Sequence, residues 1–242
     1  MGTSVKPNGM SSAASALRYW ERRQEVASNN LANVSTDGFK GQRVFARMVE
    51  GALPVADAAT DFTPGAVHAT GNPYDVALEG QGFMSVQTAN GERLSRGGTL
   101  KIDDAGMLVD SAGNPVLGEH GPIQVAPRGS KGAVENLQIS SSGVVKMGNT
   151  EVGRMRLQTL APNVELAREG NGLYVPPQNT KSLSSNTAVV RQGALEESNV
   201  TPVSEMVDMI AIQRAYTAVQ KAMTTLDATR GIATTELGRP AN

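Results

Sequence analysis

Residues 10–34 read MSSAASALRYWERRQEVASNNLANV, and apolar side chains recur in them at alternating steps of three and four. This alternation places them on one face of a helix, in the pattern that long paired helices use. The members of this N-terminal seam are Met10, Ala13, Leu17, Trp20, Gln24, Ala27, Leu31 and Val34, of which only Gln24 is polar. The pattern predicts a helix that ends in the polar turn at residues 35–38.

A matching stripe lies near the other end of the chain, where residues 209–226 read MIAIQRAYTAVQKAMTTL. The members of this C-terminal seam are Met209, Ile212, Tyr216, Val219, Met223 and Leu226. Thr201 offers a capping oxygen, Pro202 suits the first helical position, and Glu205 lies where the helix dipole favours negative charge. These signals predict a helix over residues 200–230, which Gly231 weakens, and a polar tail at 231–242.

The middle of the chain has a different pattern. Residues 75–199 contain short apolar runs separated by glycine-containing turns, which predicts a mainly antiparallel β domain. The clearest hairpin signal is Asn90-Gly91, since this pair tolerates the two positive φ values of a tight turn. It separates Phe83–Thr88 from Arg93–Ile102.

The remaining segments complete the predicted organisation. Residues 1–9 are expected to be a mobile lead-in, and residues 10–50 to hold the first helix and its following turn. Residues 51–74 are rich in Ala, Pro, Thr, Asp and Gly and are expected to form an extended connector with little helix or strand. The predicted fold class is α+β, with long terminal helices in a coiled-coil-like pair and a mainly antiparallel β central domain.

Composition excludes several classes of function. Lys and Arg number 22 and Asp and Glu number 23, so the net charge of -1 gives no reason to expect a nucleic-acid partner. Cysteine is absent, which excludes thiol nucleophiles and thiolate metal sites. No apolar run approaches the roughly 20 residues that span a bilayer, and the first ten residues lack the apolar core of a secretory signal.

The residues that could carry catalysis are few and scattered. His68 and His120 lie in unrelated predicted loops, without metal-ligand spacing. The acidic residues Asp103, Asp104 and Asp110 lack the repeated oxygen ligands of a calcium loop. We therefore expect no catalytic, cofactor or metal site, and no enzymatic activity.

The two seams have two possible partners. They can pair with each other inside one subunit, or they can pack on neighbouring copies. Val203, Val207 and Ile210 lie off the C-terminal seam and widen the apolar surface beyond what one partner covers. A second partner, bound head to tail, would generate a helical tube.

Three asparagines, Asn29, Asn30 and Asn33, lie close together although asparagine is a poor residue inside a helix. They either mark a frayed helix end or donate amide bonds to a neighbouring chain. The candidate assembly interface comprises Leu17, Trp20, Ala27, Asn29, Asn30, Leu31, Asn33, Val34, Phe39, Val203, Met209, Ile212, Gln213, Tyr216, Val219, Met223 and Leu226.

Four motifs carry a resemblance to a known family. Residues 29–40, NNLANVSTDGFK, resemble the N-terminal motif of bacterial flagellar rod and hook proteins. Residues 75–83, DVALEGQGF, are similar to the central motif of that family, and residues 192–200, QGALEESNV, to the segment before its C-terminal helix. Residues 206–216, MVDMIAIQRAY, fit as well. One departure is the stretch LSRGGTL at 94–100, whose first and last positions are usually aromatic in relatives.

The resemblance implies a structural subunit of the flagellar basal-body rod, a tubular periplasmic shaft that transmits motor torque. Its partners would be copies of itself, other rod proteins and the flagellar export apparatus, through which it would travel without a cleaved signal peptide. Hook proteins carry a further outer domain, so a rod protein is favoured, and residues 114–123 favour the proximal member with a central β domain. The alternatives are a distal rod or hook-type protein and, in a different class, an exported β-rich binding module or adhesin.

Overall fold

The computed structural model describes residues 9–49, 53–127, 137–159, 166–177, 183–184 and 188–237. The chain divides into two compact units. The helical unit comprises Met1–Val34, Gly41–Asp61 and Val200–Asn242, and the β unit comprises Ser35–Lys40 and Phe62–Asn199. The predicted α+β class is confirmed, with a helix towards each end of the chain and mainly antiparallel sheets. The predicted mobile lead-in falls on residues 1–8, outside the described residues, and on Gly9, which is already helical.

The helical unit contains two helices and a hairpin. These elements are α1 (Gly9–Ala32), β1 (Gln42–Arg47), β2 (Val55–Thr60) and α2 (Pro202–Leu237). The two strands are antiparallel, from Gln42 opposite Thr60 to Arg47 opposite Val55. Both strands contact α1, and α1 also contacts α2.

Both helices end at residues other than those predicted. Helix α1 ends at Ala32 rather than Val34, and the Asn33 side chain donates to the carbonyl of Asn29 at 2.8 Å, which closes the last turn. Helix α2 continues through Gly231 to Leu237, so the predicted end at Arg230 is wrong. One interior glycine costs only about 1 kcal/mol. The Thr234 hydroxyl also donates to the carbonyls of residues 230 and 231 at this turn.

The prediction that residues 51–74 contain little strand is wrong. Strand β2 pairs with β1, and β3 (Val67–Ala69) pairs with a late strand, β20 (Ala194–Glu196). The local composition is poor in β-formers, so pairing with partners elsewhere in the chain decides these strands. Residues 50–52 lie outside the described part of the chain.

The β unit is built from many short strands. Besides β3 and β20 they are β4 (Asp75–Glu79), β5 (Phe83–Thr88), β6 (Gly91–Ser95), β7 (Gly97–Thr99), β8 (Lys101–Ile102), β9 (Leu108–Val109), β10 (Leu117–Gly118), β11 (Gly121–Pro122), β12 (Leu137–Ile139), β13 (Val144–Met147), β14 (Thr150–Arg154), β15 (Leu157–Thr159), β16 (Ala167–Gly170), β17 (Leu173–Val175), β18 (Leu183–Ser184) and β19 (Val189–Gln192). The largest sheet has the order β16-β17-β6-β5-β15-β18. Two three-stranded sheets have the orders β12-β13-β14 and β19-β4-β7.

The predicted hairpin at residues 83–95 is confirmed, but its turn chemistry differs. Thr88 pairs with Gly91, so the central turn residues are Ala89 and Asn90. Gly91 has a positive φ of 104°. Asn90 does not, since Asn171 is the one described non-glycine residue with positive φ. The glycine therefore follows the turn and does not form its centre. The predicted continuation to Ile102 is broken into β6, β7 and β8.

Two apolar clusters form the interior of the β unit. The larger combines side chains from many strands, among them Val76, Leu78, Met84, Val86 and Met155. The smaller is aromatic: the rings of Phe62, Phe83 and Tyr174 meet edge to face, with centroids 5.1–5.9 Å apart. Edge-to-face ring contacts stabilise the cluster beyond the burial of apolar area, so a few aromatic rings are enough to form it.

The smaller cluster contains a buried residue whose replacement should not destabilise the protein. Tyr174 is fully buried, its hydroxyl has no hydrogen-bond partner in the described part of the chain, and burial raises its pKa. We expect Tyr174→Phe to leave the free energy of unfolding unchanged or raise it by up to about 1 kcal/mol, because it removes an unsatisfied buried hydroxyl. Urea denaturation checks this. Leu94→Ala, in the same cluster, should lose about 2–5 kcal/mol and serves as the control. A clear loss of stability in Tyr174→Phe would contradict the prediction.

Candidate assembly surface

The C-terminal seam faces α1 within one chain. Ile212 is 1% exposed, and Met209, Tyr216, Val219 and Met223 are half-buried, whereas most other residues of α2 are exposed. Leu226, the last member of the seam, is 41% exposed. Of the two partners that the sequence left open, the structure therefore shows α1 of the same chain against this face.

The N-terminal seam has the matching burial. Ala27 is buried, and Leu17, Trp20, Leu31 and Val34 are half-buried. Polar contacts flank this face: the Tyr216 hydroxyl bonds to the Glu21 carboxylate at 3.1 Å, and this bond raises the pKa of Tyr216. Arg23 reaches Asp208 at 3.6 Å. These contacts set the register of α1 against α2.

Asn30 has a role that the sequence did not indicate. It is 4% exposed, and its Nδ2 donates to the carbonyl of Gln42 at 3.0 Å and to Oε1 of Glu205 at 3.3 Å. Its Oδ1 accepts the backbone N–H of Gln42 at 2.9 Å. The amide therefore joins α1, the start of β1 and the first turn of α2. The hypothesis that Asn30 bonds a neighbouring chain is not supported, because both ends of its amide are engaged inside the subunit.

The other residues of the first motif fall in different surroundings. Asn29 is exposed, and Asn33 is half-buried with its amide on the helix end. Phe39 is buried in the β unit, where the guanidinium of Arg168 lies 4.6 Å from its ring centroid. Phe39 is therefore a core residue of that unit, and its place in the assembly interface stays a prediction. Asn29 keeps its predicted place there.

An apolar stripe on α2 has no cover in the described chain. Val203, Val207 and Ile210 recur at steps of four and three, and they are 69%, 59% and 53% exposed. This spacing places them on the face of α2 opposite Ile212. A shallow groove of about 430 Å³ continues the same face and is lined by Ile210, Gln213, Arg214, Thr217, Ala218 and Lys221. We call this face the outer stripe.

Glu205 lies where the helices and the hairpin meet. Desolvation is the main influence and raises its pKa, whereas the hydrogen bond from Asn30 opposes the rise. The charge of Asp208 adds to the rise. The folded helical unit therefore holds a proton on Glu205 more tightly than the unfolded chain does.

The described residues offer no candidate metal site. They contain no group of three or more His, Cys, Asp and Glu side chains placed to hold a metal ion. His68 lies 3.6 Å from Glu197, and both are partly exposed. No helix in the described ranges has the length and apolar character needed to cross a membrane.

Sequence reasoning missed three charged residues, Lys40, Arg96 and Glu196, which are almost fully buried in the β unit. Each lies in a stretch that already stood out in the sequence: Lys40 ends NNLANVSTDGFK, Arg96 is central in LSRGGTL, and Glu196 follows QGAL. The available signal was a charged residue inside a short apolar or glycine-rich motif.

Family models match three parts of the chain. Residues 10–40 match the flagella basal body rod protein family, and residues 77–147 match the flagellar hook protein FlgE/F/G D1 domain. Residues 191–235 match the flagellar basal body rod FlgEFG protein C-terminal family. These ranges contain most of the motifs and both seams.

Individual proteins are similar over most of the chain. The flagellar basal-body rod protein FlgF of Caulobacter vibrioides is 36% identical over 216 residues, which cover 84% of this chain and 86% of the relative. FlgF of Escherichia coli is 35% identical and covers 86% and 90%. The flagellar basal-body rod protein FlgG of Bacillus subtilis is 28% identical and covers 89% and 94%.

The contacts of Asn30 predict that removal of its side-chain amide destabilises the helical unit. Asn30→Ala leaves the partly buried N–H and carbonyl of Gln42 without this partner, which should lower the free energy of unfolding by about 1–3 kcal/mol. The matched control is Asn29→Ala, which removes an exposed amide from the adjacent position. Denaturation followed by the fluorescence of Trp20, the single tryptophan, measures both. Equal stability of the two variants would contradict the internal role of Asn30.

Glu205 predicts a pH dependence with a defined sign. Its folded pKa lies above the usual 4.5, so its stabilising contribution is present in acid and is lost as the pH rises through the raised value. Glu205→Gln keeps an acceptor for Asn30 and has no proton to lose. We expect the variant to equal or exceed the parent in stability at neutral pH. As the pH falls to about 4.5, the parent should gain stability relative to the variant. A difference independent of pH would exclude this explanation.

Proposed function

This chain belongs to the flagellar basal-body rod protein family, and from that premise we propose that it is a structural subunit of the rod. In this proposal many copies, together with other rod proteins, assemble into the tubular periplasmic shaft that transmits motor torque. The protein has no catalytic role. The outer stripe on α2 is the single observation that best supports assembly, because it leaves three large apolar side chains in solvent.

The seams and the outer stripe have different roles in this proposal. The seams join α1 and α2 in a coiled-coil-like pair inside each subunit. The outer stripe then packs on a different surface of a neighbouring subunit. Such a head-to-tail contact does not close on itself, so repetition generates a helical array of the kind that a shaft requires.

Further parts of the proposal rest on the resemblance of the motifs. The assembly segments are residues 10–50 and residues 200–230 with the extension to Leu237. The outward β domain is residues 75–199. The proximal position within the rod, indicated by residues 114–123, stays a prediction. So does passage through the flagellar export apparatus without a cleaved signal peptide.

The outer stripe predicts a variant that folds but does not assemble. Ile210→Asp places a charge on a 53% exposed position, so the monomer should keep its stability. In the rod that charge would be removed from water in place of an apolar contact, so we expect incorporation and motility to be lost. Rod assembly in a strain that lacks the native subunit, with thermal unfolding of the purified monomer, gives both measurements.

A matched control is Ser204→Asp, which adds the same charge at an exposed position of α2 off the outer stripe. This variant should assemble. Ile212→Asp, at the buried seam, should instead unfold the helical unit. Normal assembly of Ile210→Asp would show that the outer stripe is not an interface.

A further inference from the structure

Three charged side chains form a cluster inside the β unit. Oε1 of Glu196 lies 2.6 Å from Nζ of Lys40, and Oε2 lies 3.1 Å from Nη2 of Arg96. The three side chains are 1%, 0% and 3% exposed in that order. One carboxylate therefore pairs with two buried cations.

Backbone groups complete the cluster. Arg96 donates to the carbonyls of Leu78, Gly80 and Gly82 at 2.5–3.0 Å. Lys40 donates to the carbonyl of Thr63 at 3.0 Å. The backbone N–H of Gly65 donates to Oε1 of Glu196 at 2.9 Å, and a Cβ at Gly65 would approach the carbonyl oxygen of Glu197 to 2.0 Å. The segments are thus packed too closely to admit a side chain at residue 65.

The order of these residues along the chain is the decisive point. Glu196 follows Arg96 by 100 residues and Lys40 by 156. It lies on β20, which pairs with β3, and the preceding strand, β19, pairs with β4. The last strands of the β unit therefore close against its first strands, and they bring the carboxylate with them.

A buried cation without its anion is strongly unfavourable, so Lys40 and Arg96 cannot take their places before Glu196 arrives. We propose that Glu196 is a latch: it permits closure of residues 38–40 and 63–69 of the β unit only when the C-terminal strands are in place. A chain that is delivered with its N-terminus first stays open at these segments until residue 196 is free. For a rod subunit, and here the inference rests on the proposed function, this delay keeps an incompletely delivered chain from closing.

Hydrogen exchange of the full-length chain tests the latch. The reporting amides bond across it: Gly38 to the carbonyl of Glu196, Glu197 to that of Ala66, and Asn199 to that of Phe39. In Glu196→Gln we expect exchange in residues 38–40, 63–69 and 193–199 to accelerate by at least about tenfold, while β5 and β6 change by less than about threefold. The control is Glu197→Gln, whose parent side chain is 56% exposed, and which should exchange like the parent.

Two results of this measurement overturn the proposal. Unchanged exchange in the three segments would show that the carboxylate does not hold them. Equal acceleration throughout the β unit, including β5 and β6, would show that Glu196 stabilises the unit as a whole and closes no particular part of it. Neither result depends on rod assembly, so failure of the latch and failure of the proposed function are distinguishable.

Further variants keep the test decisive if Glu196→Gln does not fold. Lys40→Met should open the same segments to a smaller extent, because Arg96 still pairs with Glu196. Where Glu196→Gln does fold, adding Lys40→Met to it should accelerate exchange by less than about a further threefold, since the two side chains act together. Full protection in Lys40→Met, or additive effects in the double variant, would refute the coupling.

The order of closure is measured in the parent chain by pulsed hydrogen exchange during refolding. Residues 38–40, 63–69 and 193–199 should gain protection together, and at least about tenfold later than β5 and β6, whose hairpin forms from local contacts. Earlier or independent protection of the three segments would exclude a latch.

Discussion

The carboxylate of Glu196 is the constraint that joins the first and last segments of the β unit. Two cations and a backbone N–H converge on its two oxygens, and all three side chains of the cluster are removed from water. Buried ion pairs often add little net stability, but the loss of one partner is costly. Their main effect is therefore to exclude arrangements in which the segments are separated. Lys40 ends one of the two stretches of the β unit and Glu196 lies near the end of the other, so the cluster joins both.

The helical unit is held by a different combination of forces. Apolar side chains along the two seams supply the burial, and the amide of Asn30 fixes β1 and the start of α2 against α1. Apolar packing tolerates small shifts, whereas a buried amide with three hydrogen bonds does not. Within the described part of the chain, this division leaves the outer stripe without a structural role. An apolar face that the fold does not need is well suited to a contact between subunits.

The sequence predicted the features that repeat locally, and it failed where distant residues decide. Heptad spacing located both helices, and the turn residues located the 83–95 hairpin. The β1–β2 sheet was missed because Val55–Thr60 has little β propensity of its own and becomes a strand through pairing with Gln42–Arg47. The internal partners of Asn30 could not be predicted, because a polar residue near a helix end looks the same whether its partner is internal or on another chain. Lys40, Arg96 and Glu196 were missed because their pairing spans 100 residues or more.

The errors also explain why family motifs alone do not locate an interface. The motif at residues 29–40 holds an exposed Asn29, an Asn30 bonded within the helical unit, and Phe39 and Lys40 buried in the β unit. Most of its chemistry therefore serves folding of the subunit. The outer stripe, by contrast, is an ordinary apolar surface in which spacing and exposure, and no unusual residue type, carry the signal. In a protein that functions by assembly, the unusual buried polar residues define the shape of the subunit, and plain exposed apolar residues are available for its contacts.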